Sequence, residues 1–193
     1  MLDIVRRAAV SAPETLAAPR LRLCRMSIEI RPERSGDAKL IHEVVTQAFR
    51  DAPHTSGTEG FIVRELRAAG ALAVSLVALE DGHMVGHVAL SPVTIEDGSA
   101  GWYGLGPVAV LPGHQGRGIG SELIGHALRL LRERGAAGCV VLGEPAYYGR
   151  FGFRHDPALV LEGVPPEYFQ ALPLGSAAAR GAVAYHPAFA ATR

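Results

Sequence analysis

Cysteine is scarce in this chain: Cys24 and Cys139 are its only two among 193 residues. Two cysteines build neither a disulfide framework nor a cysteine-rich zinc site. An excess of charge of one sign is missing as well, since nineteen basic residues balance nineteen acidic ones. Proteins that bind nucleic acid by neutralising phosphates carry a basic surplus, so that partner class is disfavoured. No run approaches the roughly 20 apolar residues that cross a bilayer, so no membrane partner is expected. What is present is 48% hydrophobic and 20% charged residues, the composition of one compact domain large enough to bury a core. A cytoplasmic location is the corresponding expectation.

The charge balance is uneven along the chain. Residues 1–25 hold Arg6, Arg7, Arg20, Arg22 and Arg25 against Asp3 and Glu14, a local +3 that leaves −3 for the remainder. Pro13, Glu14 and Pro19 interrupt any apolar run that a secretory signal or a twin-arginine leader needs. Residues 1–26 therefore read as a loosely ordered tail, with Met26 an alternative start ahead of a clean strand pattern. Residues 27–193 read as a single domain, with a core over about 27–155 and a C-terminal strand and loop segment over 156–193.

Within that domain the hydrophobic period changes repeatedly. Residues 27–32 alternate as a strand that Pro32 stops. Ser35 offers an N-cap for a helix carrying Ile41, Val44, Val45, Ala48 and Phe49. A turn-rich stretch at 52–57 precedes a second helix over 58–69, with Phe61, Ile62, Leu66 and Ala69 facing inward. Strands follow at 72–80 and 84–95, joined at Asp81-Gly82, and a fourth at 102–111. Residues 117–134 form the strongest helix, with Ile119, Leu123, Ile124, Ala127, Leu128 and Leu131 in one stripe. A buried strand at 138–142, a short helix near 145–150 and at least one further strand complete the pattern. This order predicts a mixed, mostly antiparallel α/β (α+β) sheet with helices on both faces rather than a doubly wound dinucleotide fold.

The most informative stretch runs from Val108 to Ile124, where a strand gives way to Gly113, Gly116, Gly118 and Gly120 and then to the strong helix. Glycines let successive N–H groups converge on an anion, and a helix N-terminus adds about half a positive charge. Two phosphate-binding classes fail on spacing. Ile119-Gly120 replace the Lys and hydroxyl residue of a P-loop. Leu123 or Ser121 stands where a dinucleotide fingerprint needs its third glycine. On its own the loop also fits an ordinary flexible strand-to-helix turn. Just upstream, Gly104, Gly106 and Pro107 suggest a strand that bulges or loses a neighbour, since proline cannot donate to a ladder; an ordinary edge strand is the other explanation.

What remains, Gln115-x-x-Gly118-x-Gly120, resembles the pyrophosphate loop of the GNAT N-acetyltransferases. Tyr147-Tyr148-Gly-Arg-Phe-Gly-Phe153 strengthens the resemblance, because family members commonly carry a tyrosine four residues before a Gly-Phe pair. The stretches 76–92, 104–120 and 142–153 together make the chain similar to the YhbS-like subgroup from about residue 28 to 189. The resemblance implies the single-domain GNAT fold, with the fourth and fifth strands splayed. It implies acetyl-CoA as co-substrate, held by Val108, Ala109, Val110, Gln115, Gly116, Arg117, Gly118, Ile119 and Gly120, and no metal. It assigns to Tyr148, with Tyr147 as the alternative one register away, a hydrogen bond to the departing thiolate.

The implied reaction is direct attack of a small-molecule or protein amine through a ternary complex. The base stays open between Glu59 and Glu144, the latter read as a cap for the short helix. His83 and His87 read as structural, His114 as solvent-exposed, and Cys139 as a small buried hydrophobe. A homodimer is allowed. A non-catalytic acyl-CoA-binding module of the same fold is the competing functional class, and a purely structural partner is the third.

Overall fold

A computed structural model describes residues 27–50, 57–176 and 178–191, so the segment 1–26 and most of the 51–58 connection lie outside the described residues. The strands and helices run β1 (Ile28–Pro32), α1 (Ala38–Phe49), α2 (Glu59–Ala68), β2 (Val74–Glu80), β3 (His83–Pro92), β4 (Thr94–Ile95) and β5 (Trp102–Val110). Then follow α3 (Ile119–Glu133), β6 (Gly138–Leu142), α4 (Pro145–Tyr148), β7 (Leu159–Val160), β8 (Phe169–Pro173) and β9 (Gly181–Ala184). The main sheet has six strands in the order β1-β2-β3-β5-β6-β8, antiparallel except for the β5–β6 pair. A small sheet, β4-β9-β7, hangs beside it.

Helices cover both faces, each through an apolar stripe. On α3 the stripe is the expected one: Ile119, Leu123, Ile124, Ala127, Leu128 and Leu131 are buried against β2, β3 and β5. Each Ile or Leu side chain of the stripe contributes roughly 1.5–3 kcal/mol when removed from water. Gly86 on β3 allows this close approach, because a Cβ there would stand 3.1 Å from Leu123 Cδ1. On the opposite face α1 buries Ile41, Val44 and Val45 over Val77, Met84 and Ala109.

Three local expectations change. The cap of α1 is Asp37 rather than Ser35, and its carboxylate does not cap. That carboxylate turns back to accept from Arg34 N at 2.8 Å and from the Arg31 guanidinium at 2.6 and 3.1 Å. In α2 the inward positions are Ile62, Val63 and Leu66, whereas Ala69 is exposed and Phe61 stacks edge-on against His42 at 5.3 Å. The expected strand 84–95 is two strands, because the chain leaves the main sheet after Pro92 and β4 pairs instead with β9. Tyr185 and Trp102 pack against the resulting second core with Val93, Val140, Leu159 and Phe169.

Candidate functional site

The site originates where β5 and β6 part company. They pair in parallel only at Trp102–Gly138, Tyr103–Cys139 and Gly104–Val140. Beyond Gly104, β5 keeps β3 on one side and, among the described residues, has no strand on the other. A bulge sits at this point: Leu90 pairs with Leu105 and Val88 with Val108, so Gly106 and Pro107 stand opposite the single residue Ala89. The glycine-proline cluster thus marks both a bulge and a lost neighbour.

The ladder decides which groups of β5 are free. Leu111 N donates to Val85 O at 2.9 Å, so Gly86 and Val110 form a non-hydrogen-bonded pair. By alternation Ala109 is bonded to His87, while the main-chain groups of Val108 and Val110 point away from β3 into the gap. Gln115 Nε2 donates to one of them, Val110 O, at 2.9 Å, fastening the following loop to the strand.

A cleft of about 720 Å³ opens along this edge and ends at the N-terminus of α3. Gly116 and Gly118 there adopt φ of 74° and 87°, left-handed values that favour glycine. Gly118 is the N-cap of α3, and the first N–H groups of the helix, from Ile119, Gly120 and Ser121, have no intrahelical acceptor. The loop is anchored from behind by Glu80 at the end of β2. This buried carboxylate takes Arg117 Nη1 at 3.0 Å, the Arg117 Nη2 group as well, and His114 Nε2 at 3.1 Å. The Arg117 guanidinium holds the Glu80 carboxyl below its ordinary range.

The far wall comes from α4 and the turn after it. Pro145 occupies the first helical position, and the Glu144 carbonyl accepts from both Tyr147 N and Tyr148 N at 3.0 Å. The main chain therefore does the capping expected of the Glu144 side chain, which makes no cap hydrogen bond and lines the cleft instead. The two tyrosines diverge. The Tyr147 hydroxyl reaches the N-terminus of α3, 3.1 Å from where a Cβ on Gly120 would stand. The Tyr148 ring lies against Gly143, where a Cβ would overlap it, and packs edge-on with Phe153 at 6.1 Å. Burial, with a smaller contribution from Tyr147, pushes the Tyr148 hydroxyl up to about 12.

Of the residues singled out from sequence, the cleft brings together Val108, Val110, Gln115, Gly116, Gly118, Ile119, Gly120, Tyr147 and Tyr148. Three do not line it. Ala109 packs its side chain under α1, Arg117 is committed to Glu80, and Glu59 stands at the start of α2. Cys139 is fully buried, and burial pushes its thiol up, against a nucleophilic role. Arg150 was missed by sequence reasoning. Its guanidinium lies 4.2 Å over the Tyr147 ring, its Nε donates to Tyr147 O at 3.1 Å, and its Nη2 to Ser121 Oγ at 3.3 Å. It forms no ion pair among the described residues, so this cation faces the cleft uncompensated. Its spacing of three from Tyr147 within one short turn is the clue that could have found it.

A free strand edge, a helix N-terminus and a tyrosine-lined wall meet in this one cleft, and the chain belongs to the Acetyltransferase (GNAT) family, whose model matches residues 39–153. It is 38% identical over 125 residues to the uncharacterized N-acetyltransferase YhbS of Escherichia coli K12, covering 64% of this chain and 72% of that protein. A GNAT acetyltransferase of Brucella melitensis, solved with acetyl-CoA, superposes with a TM-score of 0.76 at 49% identity, over 85% of this chain and 99% of the other. E. coli YhbS, solved with CoA, superposes with a TM-score of 0.79 at 32% identity, over 86% and 93%. Among the described residues no cluster of metal-ligating side chains occurs, and no helix is long and apolar enough to cross a membrane.

Proposed function

We propose that the chain is an acetyl-CoA-dependent N-acetyltransferase acting on an amine by direct attack in a ternary complex. The observation that carries this reading is the continuity of the cleft. The edge of β5 at Val108 and Val110, which lies outside the β3 ladder, runs directly into the Gly116–Gly120 loop and the start of α3. An extended amide-bearing arm pairs with such a strand edge, and a pyrophosphate suits converging N–H groups at a helix N-terminus. The relatives solved with acetyl-CoA and with CoA support the same ligand.

The residues divide the work. Gly116 to Ser121 offer N–H donors to the pyrophosphate, and Arg150 adds a charge-assisted donor beside them. A free N–H of Val108 or Val110 stabilises negative charge on the acetyl oxygen. Tyr148 addresses the leaving sulfur as a hydrogen-bond donor. With its hydroxyl near 12 and a thiol near 8.5, complete proton transfer is uphill by about 5 kcal/mol. A hydrogen bond to a developing thiolate is worth about 1.5–3 kcal/mol, or roughly 10–100-fold in rate. Tyr148→Phe is therefore expected to lower kcat by that factor and leave the Kd for acetyl-CoA, measured by calorimetry, within twofold. Unchanged kcat removes Tyr148 from the reaction. Binding without turnover of any amine by the wild type identifies a non-catalytic acyl-CoA module.

A further inference from the structure

We propose that the cavity behind α4 binds a free α-amino acid with an apolar side chain, at a site separate from the cleft. The helix α4 stands between two cavities. Glu144, Tyr147 and Tyr148 line the cleft in front of it. Pro145, Ala146 and Gly149 line a second cavity behind it, of about 500 Å³, and no residue lines both. Phe153 lines the rear cavity and packs edge-on with Tyr148, centroids 6.1 Å apart, so a single ring separates that cavity from a wall of the cleft.

The polar groups of the rear cavity are left open in a complementary way. Gln170 on β8 is 2% exposed, a buried amide between the buried apolar residues Phe169 and Ala171. Burying an amide is costly unless it is hydrogen-bonded, and its Nε2 donates to Gly143 O at 3.1 Å. Its Oε1 accepts no hydrogen bond among the described residues and is not sealed in by protein, which leaves it open to the cavity. Arg154 uses Nη1 to donate to Gly149 O at 2.8 Å and to Phe153 O at 2.6 Å, and its Nε and Nη2 donate to no described residue. Neither Arg154 nor Glu167, which both line this cavity, forms an ion pair among the described residues. One cation, one anion and one amide oxygen thus share the cavity with the apolar surface of Pro145, Ala146 and Phe153.

A zwitterion meets this set with no charge left over. Its carboxylate accepts from the free Nε and Nη2 of Arg154, and its ammonium donates to Glu167 and to Gln170 Oε1. A simple anion meets the repulsion of Glu167 and a simple cation that of Arg154, so neither half of the ligand suffices. The apolar part of the lining selects an apolar side chain. This site stands whether or not the front cleft holds acetyl-CoA.

The test titrates the full chain by calorimetry with leucine, methionine and phenylalanine, each beside its N-acetyl derivative, which lacks the ammonium, and its amide, which lacks the carboxylate. At least one of the amino acids should bind with a Kd at or below about 1 mM, and its two blocked derivatives should bind at least tenfold more weakly. Glu167→Gln and Arg154→Met each remove one charge and should weaken the amino acid at least tenfold while leaving the Kd for acetyl-CoA within twofold. Arg154→Met also loses two bonds to main-chain carbonyls at the end of α4, so Glu167→Gln, at an exposed residue, is the decisive variant. Saturating CoA, which has no group to transfer, should leave the amino acid bound. Failure of all three amino acids to bind overturns the proposal. So does binding that is indifferent to Glu167→Gln, that survives blocking of either charged end, or that CoA abolishes, because the ligand then sits elsewhere.

Discussion

Protonation of His87 should dominate the loss of stability in mild acid. The side chain is fully buried, with Nε2 2.9 Å from Ser75 Oγ, and Ser75 is bonded in turn to Glu33. Burial lowers its pKa from 6.5 to about 3; the Glu33 charge opposes this shift and Arg67 adds to it. The sign follows from linkage. Between those two values the unfolded chain takes up a proton that the folded chain refuses, so stability falls as pH drops below 6.5. The limiting slope is about 1.4 kcal/mol per pH unit, which integrates to about 2.5 kcal/mol between pH 7.5 and 4.5. Carboxylates held low in the folded state, such as Glu33 and Asp37, lose their contribution mainly below that window. Urea unfolding at pH 7.5, 6.5, 5.5 and 4.5 should therefore give a steep curve for the wild type. His87→Gln retains a polar partner for Ser75 and cannot titrate, so its curve should be flatter by about 2.5 kcal/mol across the window. Whatever the variant loses in absolute stability, the difference in slope is the readout. Parallel curves for the two proteins refute the buried neutral imidazole.

Two further outcomes test the cofactor end of the cleft. Gly118→Asp places a side chain at φ 87° and a carboxylate among the N–H groups proposed to face the pyrophosphate; calorimetry should show at least a 100-fold loss of acetyl-CoA affinity, and unchanged affinity refutes the placement. Arg150→Ala removes the uncompensated cation of the cleft and should weaken acetyl-CoA about tenfold, or about 1.4 kcal/mol. It should also reduce the salt dependence of binding, and an unchanged salt dependence argues that Arg150 does not meet a phosphate.

What was legible in the sequence was what local chemistry determines. The α3 stripe, the glycine turn before it and the bulge signalled by Gly106-Pro107 each depend on residues within one or two turns of one another. What was not legible depends on distant partners. Pro92 is a local mark of the break after it, but where the chain goes next is not local, because β4 is defined by pairing with β9 nearly ninety residues later. Arg117 looked like the cation of the phosphate loop until the fold delivered Glu80 from β2, 37 residues earlier. The choice between Tyr147 and Tyr148 was likewise undecidable from spacing. It becomes a geometric distinction only when Gly120 and Gly143 place one hydroxyl at the helix terminus and the other ring at the end of β6.

The charge distribution gives these details a common cause. Outside the first 25 residues the chain carries a net −3, yet the proposed ligand is a polyanion. Long-range attraction is therefore unavailable, and the favourable field must be made within a few ångströms. Arg117 does not make it directly, because Glu80 neutralises it. Arg117 and His114 instead tie the loop to β2 from behind, while Gln115 ties it to β5 from the front. Held at both sides, the glycine turn presents its N–H groups in a fixed array, and little ordering entropy remains to be lost on binding. Arg150, steadied over Tyr147, then supplies the full positive charge that a mildly acidic surface otherwise lacks. Affinity for acetyl-CoA on this reading depends first on the order of the backbone and only second on side-chain charge.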